Sequence, residues 1–496
     1  MLLAKFPLDG RGALYEQLAR VLKRAIMEGH FRPGERLPAT RALAQNLNLS
    51  RNTVLTAYEI LRAEQLTICS ERSGTRVADI SLPPGFTSPP VAAPPQSRYA
   101  ARLRSLGTQS PRRIHEDVRR NFRSPPPFVS DMMRSWSRKL AVAARVIEAD
   151  YPDSQGFQPL RSAIADYLAR RRGVVCAESD VLIVGGTQQA ITIAARAVLD
   201  EGDTVAIEDP HYPYMLQSLT AHGARLVSVR TDEKGIVTSE LARHKARLIC
   251  VSPSGFPSGA VMSLERRVEL LDIASRQGSW ILEDDYNSEF HYRERPIAAL
   301  RSLDFSGRVI YVGTFSKTLF PSLRLGFIVC PPGIREDLCR VKCCDDLGSP
   351  WVEQAALAAF MRSRQFEKYL RGTVAALQQC RTTFMESLRR HCGERIAVQD
   401  TCAGTHIVVW LQSVEYSRLT RLIELGVARG LELYPIHPYY RNPPDRPGLM
   451  LSYRRLSAEG LARAAELLGE CLSELEGAAR GKRVGRAGPL GAASRG

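Results

Sequence analysis

The chain is predicted to fold as an α/β domain with a mostly parallel sheet, preceded by a small N-terminal winged helix-turn-helix. Three observations carry this expectation. From Gly173 to Arg324, short β-branched apolar runs alternate with stretches of helical spacing, the pattern of parallel strands joined by crossover helices. Residues 11–79 instead carry two short helical patterns with a tight connection, then a pair of β-type runs, which together make a helix-turn-helix and a wing. Between the two lie residues 80–120, where Pro83-Pro84, Pro89-Pro90 and Pro94-Pro95 exclude helix and favour extended, semi-stiff linker.

The N-terminal elements follow from their residues in order. Leu14, Leu18, Val21, Leu22 and Ile26 recur at helical spacing up to Glu28-Gly29, a C-terminal glycine signal. Arg32-Pro-Gly-Glu-Arg-Leu-Pro38 reads as a turn. Thr40 is expected to cap a short helix that carries Arg41 and Leu43. Ser50-Arg51-Asn52-Thr53-Val54 opens the next helix, with Ala57, Tyr58 and Leu61 facing inward. The first residues of a second helix in this motif reach base edges and phosphates in the major groove. Ser50, Arg51, Asn52 and Thr53 are small, polar or basic, as that requires. Ser73-Gly74-Thr75 between β-type residues predicts the tip of a two-stranded wing.

Charge agrees with a polyanionic partner. Sixty-eight basic against 52 acidic side chains leave a formal net charge of +16, which favours nucleic acid. The linker adds Arg98, Arg102, Arg104, Arg112, Arg113, Arg119 and Arg120. Eleven cysteines are scattered, and neither a C-x-x-C pair nor histidine spacing accompanies Cys339, Cys343 and Cys344, so no metal site is expected. There is no signal-like apolar segment and no run long enough to span a bilayer. The expectation is a cytoplasmic protein with reduced thiols and no membrane partner.

The large domain is organised around Val309-Ile-Tyr-Val-Gly313-Thr314-Phe315-Ser316-Lys317 and Arg324. A buried strand ends at hydroxyl residues and one lysine, at the sheet edge where α/β folds bind ligands. A desolvated lysine forms Schiff bases, while hydroxyls and a guanidinium suit a phosphate. Together they suggest pyridoxal phosphate. Upstream, Ser279-Trp-Ile-Leu-Glu283-Asp284-Asp285-Tyr286 ends a strand in carboxylates and a phenol. A carboxylate partners the cofactor's ring nitrogen, and strand alternation turns only one of the two aspartates inward. Val181-Leu-Ile-Val-Gly185-Gly186-Thr187-Gln188 is a strand, a glycine turn and a helix start, and open N–H groups there bind phosphate. Val205 to Tyr212 ends another strand with an aromatic able to stack on a flat ring. Beyond Ser349 the pattern turns helical, residues 396–456 read as a small C-terminal subdomain, and a disordered basic tail is expected over 476–496.

In this order the segments resemble the fold-type I aminotransferase superfamily over roughly residues 121–475. Gly313-Thr-Phe-Ser-Lys317, Glu283-Asp-Asp-Tyr286 and Met262-Ser-Leu-Glu-Arg-Arg267 narrow the resemblance to MocR/GabR-type regulators. Residues 11–79 resemble the winged helix of GntR regulators, on Arg32 to Pro38, Ser50 to Val54 and Ser73-Gly-Thr. The resemblance implies that Lys317 binds the cofactor's aldehyde, Asp284 faces the pyridine nitrogen, Tyr286 reaches the 3-oxygen and Tyr212 stacks on the ring. It assigns the phosphate to Thr187, Gln188, Ser316 and Arg324, and DNA contact to Arg41, Ser50, Arg51, Asn52 and Thr53, with Gly74 at the wing tip.

Three departures stand out. Gln65 replaces the usual glycine after the recognition helix. Phe256 stands where aminotransferases place an asparagine beside the 3-oxygen. No arginine falls on Gly448-Leu-Met-Leu-Ser-Tyr453, the strand that carries the carboxylate arginine in such enzymes; Arg446 lies just before it and Arg454 just after, and Arg446 is the favoured clamp. The resulting expectation is a regulator that binds a double-stranded DNA operator as a homodimer and senses an amine or amino acid through pyridoxal phosphate. The alternative is an active aminotransferase carrying a DNA-binding domain.

Overall fold

The computed structural model describes residues 7–70, 74–79, 97–106, 127–145, 151–292, 298–399, 403–454 and 456–484. The chain divides into two compact units, Met1–Gln96 and Ser97–Gly496.

The first unit packs α1 (Leu14–Met27), α2 (Thr40–Leu47) and α3 (Arg51–Ala63) over a hairpin of β1 (Thr67–Ser70) and β2 (Gly74–Val77). Leu18, Leu22, Val54 and Leu61 are fully buried at the centre, each contributing roughly 1.5–3 kcal/mol. The Tyr58 hydroxyl donates to the Pro38 carbonyl at 2.7 Å, tying α3 to the turn before α2. Thr40 is not the cap of α2. Ala39 occupies that position without a side-chain bond, and Thr40 is the first helical residue. Ser50 does cap α3: its hydroxyl accepts from the Thr53 N–H at 3.0 Å. After α3 the chain reverses through Gln65 at φ 57°. The strands then pair antiparallel from Thr67↔Val77 to Ser70↔Gly74. Glu71, Arg72 and Ser73 lie outside the described residues.

The second unit is built on an eight-stranded sheet of order β3-β10-β9-β8-β7-β4-β5-β6. These are β3 (Val181–Val184), β4 (Thr204–Asp209), β5 (Arg225–Asp232), β6 (Gly235–Ile236), β7 (Leu248–Val251), β8 (Trp280–Asp285), β9 (Val309–Thr314) and β10 (Gly326–Val329). Pairing is parallel from β9 through β8, β7 and β4 to β5. β10 runs antiparallel to both β9 and β3. Side chains alternate between faces. Leu182, Val184, Ile310 and Val312 pack with Ile191 and Ala194 of the helix Thr187–Val198. Val181, Ile183, Tyr311 and Phe327 pack on the other face, with Ile164 and Leu168 of the helix Gln158–Arg172 and Leu357 of the helix Trp351–Met361. A smaller antiparallel sheet, β11 (Ile396–Gln399), β12 (His406–Leu411) and β13 (Gly448–Ser452), buries Ile407, Val409, Leu449 and Leu451 with the helix Arg364–Cys392.

Two stretches differ from the sequence expectation. Arg98–Ser105 within the expected linker is a helix, capped by Ser97, whose hydroxyl accepts from the Ala100 N–H at 3.2 Å. Arg102 donates to the Ala221 carbonyl at 3.3 Å, and both Arg98 and Arg102 pair with Glu201. The proline pairs end at Pro95, and Ala, Arg and Leu after it favour helix. At the C-terminus the helix Ala458–Val484 continues past Gly477. The helix carries this interior glycine at a cost of about 1 kcal/mol. Residues 80–96, 107–126 and 485–496, which carry most of the linker and tail expectations, lie outside the described residues.

Candidate functional site

Five loops meet at one edge of the large sheet. Parallel pairing brings the carboxyl ends of β4, β7, β8 and β9 to the same side, and β10, running oppositely, begins there. The end of β3 joins them, because Val184 pairs with Gly326 as Thr314 does. Thus Gly185-Gly186-Thr187, Asp209 to Tyr212, Ser252 to Gly259, Asp284 to Tyr286, Thr314 to Lys317 and Arg324 are neighbours, though up to 139 residues separate Gly185 from Arg324.

The glycine turn and Arg324 form one cradle. Arg324 Nη2 donates to the Gly185 carbonyl at 2.7 Å. A Cβ on Gly186, at φ 102°, would meet that guanidinium at 3.1 Å, and a Cβ on Gly326 would meet the Gly186 Cα at 2.9 Å. Bare backbone is therefore required where β10 crosses the helix start. The helix from Thr187 has no side-chain N-cap, so its first N–H groups point into the cradle with the positive end of the helix dipole. Ser316 Oγ is buried without a hydrogen-bond partner.

Asp284 and Asp285 take opposite faces. Asp285 is 4% exposed and accepts from Arg172 Nε at 2.9 Å and from the Tyr311 hydroxyl at 2.6 Å, which commits it to the core. Asp284 is equally buried, but its Oδ1 has no hydrogen-bond partner. Burial, then the neighbouring Asp285, push its pKa up to about 7, while the Lys317 charge pulls it back. Lys317 is half-buried and follows β9 directly. Glu208 of β4 is pushed up to about 8 by burial even though it accepts from the Ser252 N–H at 2.8 Å.

An aromatic wall completes the site. Phe256 meets Tyr212, Tyr286, His406 and Tyr439 edge-on, with ring centroids 6.0, 5.3, 5.9 and 5.5 Å away. Burial raises the pKa of Tyr212 and of Tyr286, and the Asp284 charge adds to it. His406 Nε2 lies 3.1 Å from the Pro257 carbonyl. Burial, opposed by that carbonyl and assisted by Lys317, moves His406 down to about 4.

These residues fit a phosphate-bearing pyridine aldehyde. A buried, unpartnered carboxyl oxygen suits a protonated ring nitrogen, which would relieve a desolvation cost of roughly 1–3 kcal/mol or more. An unpartnered serine hydroxyl, a helix start and a guanidinium suit a phosphate dianion.

Not every expected residue joins this group in the expected way. The Gln188 side chain is turned away, donating from Nε2 to the Tyr214 carbonyl at 3.1 Å and to Ser218, so only its backbone N–H faces the cradle. Arg446 is not brought to Lys317. It is exposed, bonds Gln412, and precedes β13 at the Gly448 end, which pairs with Trp410. The site lies toward the other end, where Ser452 pairs with His406, roughly 13 Å away at about 3.3 Å per residue. Arg454, past that end, donates to the Leu319 carbonyl at 3.5 Å and lies over the Phe290 ring. Sequence reasoning also missed His211, which feels Asp209 and Arg441 with opposite signs. Burial lowers it to about 4, and its Nδ1 has no hydrogen-bond partner. Its place directly before Tyr212 was the available signal.

In the first unit, Arg41, Arg51 and Asn52 are exposed at the starts of α2 and α3. Ser50 and Thr53 are engaged with each other, their hydroxyls 2.8 Å apart, so both act first as the cap. Gly74, at φ 75°, opens β2 beneath the Arg36 guanidinium. Among the described residues no group of three His, Cys, Asp or Glu is arranged to hold a metal ion, and no helix is long and apolar enough to cross a membrane.

Comparison with known proteins assigns both units. Residues 129–425 match the aminotransferase class I and II family, and residues 14–77 match the gntR family of bacterial regulatory proteins. A probable rhizopine catabolism regulatory protein, MocR, of Rhizobium meliloti is 34% identical, across 94% of this chain and 95% of its own. The HTH-type transcriptional regulator TauR of Rhodobacter capsulatus is 30% identical, across 92% and 97%. Among solved structures, an α-aminoadipate aminotransferase of Thermus thermophilus, complexed with N-(5'-phosphopyridoxyl)-L-leucine, superposes with a TM-score of 0.67 at 24% identity, covering 77% of this chain and 98% of its own. That likeness concerns the fold.

Proposed function

The chain belongs to the MocR-type transcription regulators of the gntR family, which join a winged helix to an aminotransferase-like domain, and from that premise we propose that this domain holds pyridoxal phosphate at Lys317 and reads an amine or amino-acid effector. The observation that carries the reading is the buried Asp284 carboxyl, unpartnered at Oδ1 and within the field of Lys317. Bound there, the cofactor supplies an aldehyde that condenses with amines and a ring that draws electrons once its nitrogen is protonated. Asp284 holds the proton at that nitrogen. Tyr286 donates toward the 3-oxygen, and Tyr212 covers the ring face. Thr187, Ser316, Arg324 and the Gln188 N–H hold the phosphate.

Residues 121–475 form the sensing part and residues 11–79 the reading head, in a homodimer whose two winged helices match paired half-sites. Arg41, Ser50, Arg51, Asn52 and Thr53 meet the operator, with Gly74 at the wing. With the cofactor bound, an effector amine would compete with Lys317 for its aldehyde, and the linker would carry the resulting change toward the head. An effector shifts the balance only by its differential affinity for the two states.

Two substitutions separate the halves. Arg51→Ala is expected to weaken operator binding by about 1–3 kcal/mol while cofactor uptake is unchanged. Lys317→Ala is expected to abolish the effector response while basal operator binding persists. Gel-shift titration with and without cofactor and amine reads both, and full specific binding by the arginine variant would refute the recognition-helix assignment. Steady-state amino transfer to a 2-oxo acid would instead favour an active aminotransferase.

A further inference from the structure

The small sheet presents a neutral face to the lysine edge. Ile407 and Val409 of β12 and Leu449 and Leu451 of β13 are buried on the helix side. The alternate positions, His406, Val408, Met450 and Ser452, lie on the opposite face. There Val408 and Met450 pack with Tyr439 and Phe256, and Phe256 in turn touches Tyr212 and Tyr286. Met450 pairs with Val408 in the middle of this wall.

We propose that the effector of this chain is an amine with an apolar or aromatic body and no carboxylate, seated against Phe256 and Met450, the half-buried members of this wall. The proposal rests on the cofactor reading above and names the ligand class of the same site. Its basis is the cost of burying a carboxylate without a paired cation. His406 at the end of the wall is held neutral at pH 7, because burial lowers it to about 4. Among the described residues, the arginines flanking this edge have other partners. Arg324 belongs to the phosphate cradle with Gly185, Arg441 donates to the Leu226 carbonyl at 3.1 Å, and Arg454 donates to the Leu319 carbonyl at 3.5 Å. An aromatic body, by contrast, gains an edge-to-face contact with the Phe256 ring.

The test compares two probes that share a body. The full-length chain loaded with pyridoxal phosphate is titrated with 2-phenylethylamine and with L-phenylalanine, following the absorbance of the bound cofactor. The amine is expected to half-saturate at a concentration about tenfold or more below that of the amino acid. Met450→Arg should move that ratio toward phenylalanine by a similar factor, whereas Met450→Leu, which keeps the wall apolar, should leave it unchanged. Phenylalanine binding as tightly as the amine in the unsubstituted protein would overturn the proposal while the cofactor reading stands. A chain that shows no cofactor band before any amine is added would overturn both.

Discussion

Asp284 and Asp285 are adjacent, equally buried and chemically identical, yet their surroundings give them separate tasks. Asp285 is neutralised by Arg172 and Tyr311. Asp284 remains unpartnered at one oxygen, with its pKa raised to about 7 mainly by burial. Raising a carboxyl's folded pKa above its unfolded value means that the folded state binds the extra proton. Stability from that proton is complete below about pH 4 and is lost as pH rises to about 7. In the cofactor-free protein, Asp284→Asn should therefore gain stability relative to the parent as pH rises through that window, with the difference flat above pH 8. Chemical denaturation at a series of pH values checks this, and a pH-independent difference would contradict the buried, unpaired carboxyl. The sequence marked Asp284, Tyr286, Lys317 and Arg324 because strand ends concentrate chemistry in a few consecutive letters. It could not show that Arg172, 113 residues before Asp285, is the partner that removes Asp285 from the site. The Arg446 expectation failed because proximity in sequence to β13 says nothing about which end of the strand faces the lysine.

At the scale of elements, the alternation of apolar runs was legible because the central strands β3, β8 and β9 are buried on both faces. The two missed helical stretches were not. The helix Arg98–Ser105 is held by Glu201 and by the carbonyl end of the helix Pro213–His222, contacts made with residues about a hundred positions away. Local composition beside a proline-rich segment carries no trace of them. The junction after α3 shows a different conflict. Gln65 holds φ 57°, a conformation that costs a side-chain-bearing residue roughly 1–2 kcal/mol. Glycine removes that strain but loses more entropy on folding. Gln65→Gly is thus expected to raise the opening free energy of the winged helix by roughly 0.5–1 kcal/mol. Amide hydrogen exchange at Val54 and Leu61 in the full chain reads it, and faster exchange would mean that the glutamine side chain contributes more than its strain costs.

For the whole molecule, a DNA-binding unit and an aminotransferase-like unit share one chain of the MocR type, and the formal charge of +16 suits the operator-binding role. The large unit keeps a lysine, an inward carboxyl, a phenol and a glycine turn beneath a guanidinium at one sheet edge, while its small sheet offers an apolar wall. That combination suits recognition of an amine more directly than turnover of an amino acid. All of it depends on a covalent bond at one side chain. The most direct measurement is borohydride reduction of the full-length protein incubated with pyridoxal phosphate, followed by peptide mass mapping. The account predicts a single phosphopyridoxyl label on Lys317, lost when excess effector amine is present before reduction. An unlabelled Lys317, or label spread over surface lysines, would contradict it.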